Sequence, residues 1–416
     1  MKIVAILGIW AFSLSIAFSA TLKVPEQYAT IQAAIDVVSD GDRIVVAPGI
    51  YEENIDFSGT NFILTSQDPN NPEIVGSTIL KPGLTVIAEG PRGSIVYKPS
   101  GPVVQFTSGE IPDAVLTGFT ITGGKGIAKV HEDNGGEEFY GGGIYCVGAS
   151  PSIVGNMIIR NGIPDDRDRP VFGGGILCRD SEAMITRNTF AYNYATEGAG
   201  ILVRLGEPTI TQNHIMKNEA DWAGGGIACW NSEALITRNI ITNNHASVGG
   251  GINLDQGYLT CNVIENNRAS EGGGIALNGP GTVIHNTVVA NSADWGGNLS
   301  IHISRYYSQP SRVLNNIIAW ANMGSGVLWC DQGEGLNERL VIQFNAIWQS
   351  NKDEAFQILP WSDQDVTWVT PVSDIWDIYG NIYADPGFVD RINGDYHLRP
   401  DSTCITQICP PRYVSL

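Results

Sequence analysis

The chain is poor in charged residues, and the basic ones are the scarcer kind. Only 16% of the 416 residues are charged, and 24 Lys and Arg stand against 43 Asp and Glu, so the formal net charge is −19 at pH 7. This excess of acid argues against a protein that binds nucleic acid or an anionic membrane surface. The apolar share of 43% is too high for a disordered chain, so we expect a buried core.

Long apolar runs are missing after the first 20 residues, so we expect no stable membrane insertion. Lys2, an apolar run from Ile3 to Phe18 and the small residues Ser19 and Ala20 are typical of a cleaved export signal. The run is short for a bilayer of about 30 Å, so an uncleaved anchor is the weaker alternative. We expect a product that is secreted, or held at the cell surface or in the periplasm.

Glycine is abundant, with 49 residues and no collagen triplet to explain them. The sequence Gly-Gly-Gly-Ile ends at Ile144, Ile176, Ile227, Ile252 and Ile275, and variants of it end at Ile201 and Leu299. These marker residues follow one another at steps of 32, 25, 26, 25, 23 and 24 residues. A period of this kind indicates a solenoid.

Asparagine pairs recur with the same period, each pair separated by five positions. The pairs are Asn156 and Asn161, Asn188 and Asn193, Asn213 and Asn218, Asn239 and Asn244, Asn262 and Asn267, Asn286 and Asn291, with looser copies at Asn316 with Asn322 and Asn345 with Asn351. The units between them hold only strand-length runs, so we predict coils of short parallel strands. Stacked coils place like residues about 4.8 Å apart, which predicts asparagine ladders at the turns. Asparagine and glycine also tolerate the left-handed backbone that sharp corners require.

These repeats make the chain resemble the secreted right-handed parallel β-helix proteins, the superfamily of pectate lyases, polygalacturonases and pectin methylesterases. The segment from Tyr28 to Ile35 resembles their amino-terminal capping helix, and the segment from Gly380 to Ser402 resembles a closing segment. The resemblance implies an all-β, single-stranded right-handed parallel β-helix with a helical amino-terminal cap and an irregular carboxyl-terminal cap. We expect a signal peptide over 1–20, the β-helix over 21–351 and a capping region, rich in Trp361, Trp368 and Trp376, over 352–416.

The catalytic motifs of the named enzymes are absent. The sequence has neither the Gln-Asp-Thr-Leu-like nor the Asp-Phe-Ile-Phe-Gly-like segment of pectin methylesterases, and it lacks the full aspartate and histidine set of polygalacturonases. Asp165 and Asp166 form an isolated pair. The resemblance therefore does not extend to these two activities.

Strand alternation separates an inward from an outward column of side chains after each marker residue. The second residue after the marker points inward and is apolar in every coil, as Cys146, Cys178 and Cys229 illustrate. We expect these cysteines to be buried free thiols, with a Cys146–Cys178 bridge as the weaker alternative. Cys404 and Cys409 are close in the sequence and either form a disulfide that closes a small loop or remain free.

The third residue after the marker points outward. This column reads Val147, Arg179, Arg204, Trp230, Asp255, Asn278 and His302, and Glu197, Trp222, Glu271 and Trp295 stand beside it in what we expect to be loops before the glycines. Tryptophans suit the apolar faces of sugar rings, and Arg, Asp and Asn can bind hydroxyls or carboxylates. We therefore predict substrate binding by Trp222, Trp230, Asn278, Trp295 and His302, with a solvated face as the alternative.

Two chemistries fit this column if the protein is an enzyme, which the sequence leaves uncertain. Elimination on a uronate needs a base and a cation. By resemblance to β-helix lyases, Arg179 or Arg204 is the expected base, and Asp180 and Asp255 are the expected ligands of Ca²⁺. Hydrolysis needs two facing carboxylates, for which Glu197, Asp255 and Glu271 are candidates.

Two acidic insertions, over 131–138 and 165–169, are expected to be solvated loops or, less favourably, calcium loops.

The leading hypothesis is a monomeric protein that binds or degrades an extracellular polysaccharide, most specifically a lyase on acidic glycans. The alternative is a noncatalytic surface or adhesion scaffold, because the fold alone does not choose between these functions.

Overall fold

The computed structural model describes residues 19–89, 95–130, 137–162, 169–302, 307, 309–322, 326–332, 340–349, 356–360 and 381–407. Several sequence predictions therefore fall outside the described residues. They concern most of the export signal and most of both acidic insertions. They also concern Trp361, Trp368 and Trp376 of the capping region, and Cys409 of the possible disulfide loop.

Three long parallel sheets, called A, B and C here, run the length of the molecule, and neighbouring strands in each sheet belong to successive coils. Sheet A contains Thr21–Val24, Arg43–Val46, Ile63–Ser66, Val115–Thr117, Ser152–Val154, Met184–Thr186, Thr209–Thr211, Leu235–Thr237, Tyr258–Thr260, Thr282–Ile284, Ser311–Leu314 and Leu340–Gln343. Sheet B contains Gly49–Glu52, Thr78–Lys81, Thr120–Thr122, Met157–Ile159, Thr189–Ala191, His214–Met216, Ile240–Thr242, Val263–Glu265, Thr287–Val289, Ile317–Ala319 and Ala346–Trp348. Sheet C contains Ile55–Asp56, Val104–Phe106, Ile144–Val147, Ile176–Arg179, Ile201–Arg204, Ile227–Trp230, Ile252–Leu254, Ile275–Leu277, Leu299–His302, Leu328–Gln332 and Phe356–Pro360. The predicted parallel β-helix is confirmed, and sheet C continues to Pro360, beyond the boundary that we expected at residue 351.

The core follows the predicted alternation. The marker residues and the residues two positions later are fully buried in every coil, and Cys146, Cys178 and Cys229 are free buried thiols as expected. A hydrogen bond with Cys146, together with burial, raises the pKa of Cys178 well above its usual value. These cysteines therefore act as small apolar core residues.

Asparagine ladders close the corners on both sides of sheet B. At Asn218, Nδ2 donates to the main-chain oxygen of Phe190 at 3.0 Å and to Oδ1 of Asn244 at 2.9 Å. Its own Oδ1 accepts from the main-chain N and from Nδ2 of Asn193, both at 3.0 Å. The same pattern repeats from coil to coil, so each buried amide is satisfied by its copies.

The ladders differ from prediction in two respects. At the end of the second ladder, Asn291 bonds to Asn298 and not to Asn322, while Asn345 passes the first ladder on to Asn381. The left-handed residue is also not the ladder asparagine but the residue before it, which is Arg187 in one coil with φ of 56°. The main chain turns at the residue before the ladder asparagine, and the asparagine side chain then lies inside the stack of coils, where it bonds to its copies.

A fourth sheet, D, stands beside sheet C and was not predicted. It contains Ile127–Val130, Glu137–Tyr140, Val171–Phe172, Tyr194–Glu197 and Glu219–Ala223. Glu197 and Trp222 therefore lie on strands, and the expectation of loops was wrong for both. The glycines after this sheet permit close backbone approach, since a Cβ on Gly225 would lie 2.4 Å from the main-chain oxygen of His245.

A short helix covers the amino-terminal end of the solenoid. Helix Ile31–Ile35 buries Ile31, Ala34 and Ile35, and the Glu53 carboxylate accepts from the first main-chain N–H groups of that helix at 3.0 Å. The other elements are helix Pro72–Ser77, a hairpin of Leu84–Glu89 with Ile95–Pro99, a hairpin of Phe388–Asp390 with Asp395–Leu398, the 3₁₀ helix Arg391–Asn393 and helix Thr403–Gln407.

The carboxyl-terminal segment packs along the outer face of sheet B. Ile382 contacts Ala346, and Phe388 packs against Val289 and Ala319. This part of the segment therefore covers the side of the last coils. No helix among the described residues is long and apolar enough to span a membrane.

Candidate functional site

Two columns of side chains run side by side along the outer surface of sheet C, and the strip between them is called the groove here. Coils 1 to 7 are those whose sheet C strands begin at Ile144, Ile176, Ile201, Ile227, Ile252, Ile275 and Leu299. The strand column holds, from coil 2 to coil 7, Arg179, Arg204, Trp230, Asp255, Asn278 and His302. The wall column holds, over the same coils, Phe172, Glu197, Ala223, Val248, Glu271 and Trp295.

The floor between these columns is formed by the first residue after each marker. It reads Tyr145, Leu177, Leu202, Ala228, Asn253, Ala276 and Ser300, all of them buried. In coils 1 to 4 sheet D contributes to this burial, because Phe172 on that sheet packs with Leu177 and Leu202 in a small apolar cluster outside the solenoid. The floor changes from apolar to partly polar between Ala228 and Asn253.

A surface cleft of about 460 Å³ occupies coils 2 to 4. It is lined by Arg179, Glu197, Arg204, Leu205, Trp222, Trp230 and Asn231. The cleft therefore brings together both arginines that sequence analysis singled out and two of the three predicted sugar-binding tryptophans. Its walls combine cations with large flat apolar faces.

Arg204 is fixed in this cleft by two contacts. Its Nη2 donates to Oε2 of Glu197 at 2.7 Å, and its guanidinium lies 4.8 Å from the ring centroid of Phe172. Arg179 is freer, because its side chain is half exposed and its ion pair with Asp180, at 3.4 Å, is at the surface. Exposed pairs of this kind are weak, so Arg179 can turn toward an anionic ligand.

The two tryptophans of the cleft are stacked on each other. The ring centroids of Trp222 and Trp230 are 5.7 Å apart with an interplanar angle of 20°. Trp222 is 50% exposed and presents an indole surface to solvent. Nε1 of Trp230 is buried and has no hydrogen-bond partner in the part of the chain that the structure describes. The pair thus offers an apolar platform and a donor that lacks an acceptor.

Asp255 lies two coils beyond Arg204, is buried, and is covered by a tyrosine. The Tyr307 hydroxyl donates to both carboxylate oxygens at 2.9 Å, and the main-chain N–H of Asn231 donates to Oδ2 at 3.3 Å. Burial, followed by the hydrogen bond to Asp255, raises the pKa of Tyr307. The carboxylate is therefore held in one orientation.

The proposed calcium ligands do not meet. Asp180 follows the coil 2 strand and Asp255 belongs to coil 5, so three strand spacings, roughly 14 Å, separate them. Among the residues that the structure describes, no group of three His, Cys, Asp or Glu side chains is arranged to hold a metal ion. Asp180 and Asp255 therefore do not form one shared site.

A second polar cluster lies at coils 6 and 7. Oε1 of Glu271 accepts from Oγ of Ser300 at 3.1 Å and contacts Nε2 of His302, whose ring meets Trp329 edge to face at 5.0 Å. Trp295, 49% exposed, continues the wall next to Glu271. These residues stand apart from the arginine cleft but in the same groove.

Asn278 contacts a floor residue that sequence analysis missed. Its Nδ2 donates to Oδ1 of Asn253 at 2.7 Å. Nδ2 of the fully buried Asn253 has no partner among the residues that the structure describes. Tyr307 and Phe172 were also missed. Alternation marks Asn253 as outward, so the available signal was an amide that follows apolar residues in the floor column. Nothing in the sequence indicated Tyr307.

Comparisons with known proteins address the architecture. The family model described as "Right handed beta helix region" matches residues 65–236 and 174–363. No curated protein matches the chain significantly. Among solved structures, the chain is similar to the family 28 exopolygalacturonase of Yersinia enterocolitica, with 10% identity and a TM-score of 0.39 over 82% of this chain and 77% of that chain.

Proposed function

The chain belongs to the right-handed β-helix family, and from that premise we propose that it binds an acidic extracellular polysaccharide in the groove on sheet C. The apolar leader supports an extracellular location. A monomer suffices, because the groove is built from one chain.

One observation carries this proposal, namely that Arg179 and Arg204 share a cleft with the stacked pair Trp222 and Trp230. Guanidinium groups bind carboxylates through paired hydrogen bonds, and indole faces pack against sugar rings. Arg204 is already oriented by Glu197, so little conformational entropy is lost when it binds. A uronate has both a carboxylate and a ring face, so it matches both halves of the cleft.

The contacts favour binding over elimination. A guanidinium is always charged in ordinary protein surroundings, and Arg204 donates to a buried carboxylate partner. Arg179 is adjacent to Asp180 and half exposed, which gives it the environment of a surface cation. In these positions both arginines suit the recognition of a carboxylate better than the removal of a carbon-bound proton, although the predicted lyase activity remains directly measurable.

The test is calorimetric titration of the purified mature protein with uronate-containing and neutral oligosaccharides, with and without Ca²⁺. We expect binding of the uronate-containing ligands only, weakened at least about tenfold by Arg179→Gln. Arg187→Gln is the matched control, since Arg187 is an exposed arginine at the corner between sheets A and B. Equal loss in both variants, or equal binding of neutral ligands, would contradict the proposal.

The same samples decide whether the protein is an enzyme. A rise in absorbance near 235 nm, lost in Arg179→Ala or Arg204→Ala, would establish the predicted uronate lyase. New reducing ends without that absorbance would indicate hydrolysis. Binding without either signal identifies the noncatalytic scaffold.

A further inference from the structure

The charge of the groove reverses along its length. Over coils 2 and 3 the two columns carry Arg179 and Arg204 against one carboxylate, Glu197. Over coils 5 and 6 they carry Asp255 and Glu271 and no Lys or Arg. The distance between Arg204 and Asp255 along the stack is two strand spacings, roughly 10 Å.

Both carboxylates of the acidic half are held in place by neighbouring side chains. Tyr307 and the main chain of Asn231 bind Asp255, while Ser300 and His302 bind Glu271. None of these partners is an arginine or lysine. The acidic half therefore holds two carboxylates at fixed positions along the groove, with that of Asp255 lying beneath the Tyr307 hydroxyl.

Two donors that find no acceptor among the described residues lie between the halves. They are Nε1 of Trp230 in coil 4 and Nδ2 of Asn253 in coil 5, and Asn253 is an outward-pointing floor residue that is fully buried. Buried donors are nearly always paired, so an unpaired amide and an unpaired indole in adjacent coils point to oxygen atoms supplied by a ligand. Sugar hydroxyls can accept from these donors and can donate to Asp255 and Glu271, whereas a carboxylate can only accept.

Building on the proposed function, we infer that the ligand is a glycan in which one uronate is followed by neutral sugars. The uronate binds at Arg179 and Arg204, and the neutral sugars occupy coils 4 to 6. A chain made only of uronates would bring a second carboxylate against Asp255 or Glu271, and like charges at this range repel. The acidic half thus selects against homopolymeric uronates.

The experiment compares two ligands of equal length by calorimetry at low salt: a tetrasaccharide of one uronate with three neutral pyranoses, and tetragalacturonate. We expect the first to bind at least about tenfold more tightly to the wild-type protein. Asp255→Asn with Glu271→Gln should raise the affinity for tetragalacturonate at least about fivefold and should not raise that for the first ligand. Glu271→Gln alone should give part of this gain, which keeps the test valid if Asp255→Asn fails to fold.

Glu73→Gln is the matched control, because it removes one carboxylate from helix Pro72–Ser77, outside both groove columns. The wild-type preference should also diminish as salt is raised toward 1 M, where charges are screened within about 3 Å. Equal wild-type affinity for the two ligands, or no gain in the carboxylate variants, overturns the inference while leaving acidic glycan binding intact. If neither ligand binds, the proposed function fails and this inference fails with it.

Discussion

Replacing one ladder asparagine should destabilise the whole solenoid. Asn218 is 1% exposed, and its side chain satisfies groups in two neighbouring coils. In Asn218→Ala, the main-chain N and Nδ2 of Asn193 and the main-chain oxygen of Phe190 lose this partner. Each buried group left unpaired costs about 1–3 kcal/mol, so the free energy of unfolding should fall by about 4 kcal/mol.

The assay is urea unfolding, followed by far-ultraviolet circular dichroism and by tryptophan fluorescence. Coincidence of the two transitions is required, because stacked repeats can unfold in parts. The control is Asn70→Ala, since Asn70 is an exposed turn residue whose main-chain N–H, and not its side chain, bonds to Asp68. Asn70→Ala should change the free energy of unfolding by less than about 0.5 kcal/mol.

A small effect at Asn218 would refute this reasoning. Suppose that the loss in free energy of unfolding is less than about 1 kcal/mol larger for Asn218→Ala than for Asn70→Ala. Water or a backbone shift then replaces the lost bonds. The ladders would then specify the register of the coils without stabilising them. If Asn239→Ala, in the other ladder, lowers the free energy of unfolding by a similar amount to that expected for Asn218→Ala, the argument holds for both ladders.

Two further predictions concern the core and the glycine turns. Burial raises the pKa of Cys229 to about 12, so iodoacetamide at pH 9 should label the exposed Cys261 at least about a hundredfold faster than Cys229 in the folded protein. Peptide mass spectrometry measures both labelling rates, and the difference should disappear when urea unfolds the chain. Comparable rates in the folded protein would contradict the buried core. Gly226→Ala should lower the free energy of unfolding by at least about 2 kcal/mol, because its Cβ would lie 2.5 Å from the main-chain oxygen of Gly251. In the control Gly76→Ala the new Cβ meets nothing within 4 Å, so urea unfolding should show little change. Equal losses of stability in the two variants would contradict the close approach.

The solenoid could be predicted because its parts repeat. An asparagine that recurs at one register can bond to its copies only if the coils stack in parallel, so the pairs around Asn188 and Asn213 indicated the fold directly. Alternation then separated inward from outward side chains, which identified both the cysteine core and the column that begins at Arg179. These inferences depend on spacing alone, and spacing is visible in a sequence.

The wall of the groove was not predicted, because its strands share little beyond one alanine in each coil, such as Ala195 and its partner Ala220. Tyr194–Glu197 and Glu219–Ala223 pair with a register shift and differ in length and composition. The bond from Arg204 to Glu197 depends on how the chain turns at Gly198, and the bond from Tyr307 to Asp255 joins residues 52 apart. Contacts of this kind are fixed by three-dimensional packing and leave no periodic trace.

This separation explains how the groove can hold opposite charges without disturbing the fold. The ladders and the inward columns set the position of every coil, so each coil contributes one strand-column and one wall-column side chain to the groove at a fixed height. A change from Arg204 in coil 3 to Asp255 in coil 5 alters the charge of the groove while the core beneath keeps its apolar pair, Ile201 with Val203 and Ile252 with Leu254. Under the proposed function, ligand preference is set coil by coil, and substitution of Asp255 or Glu271 should alter selectivity without changing the architecture.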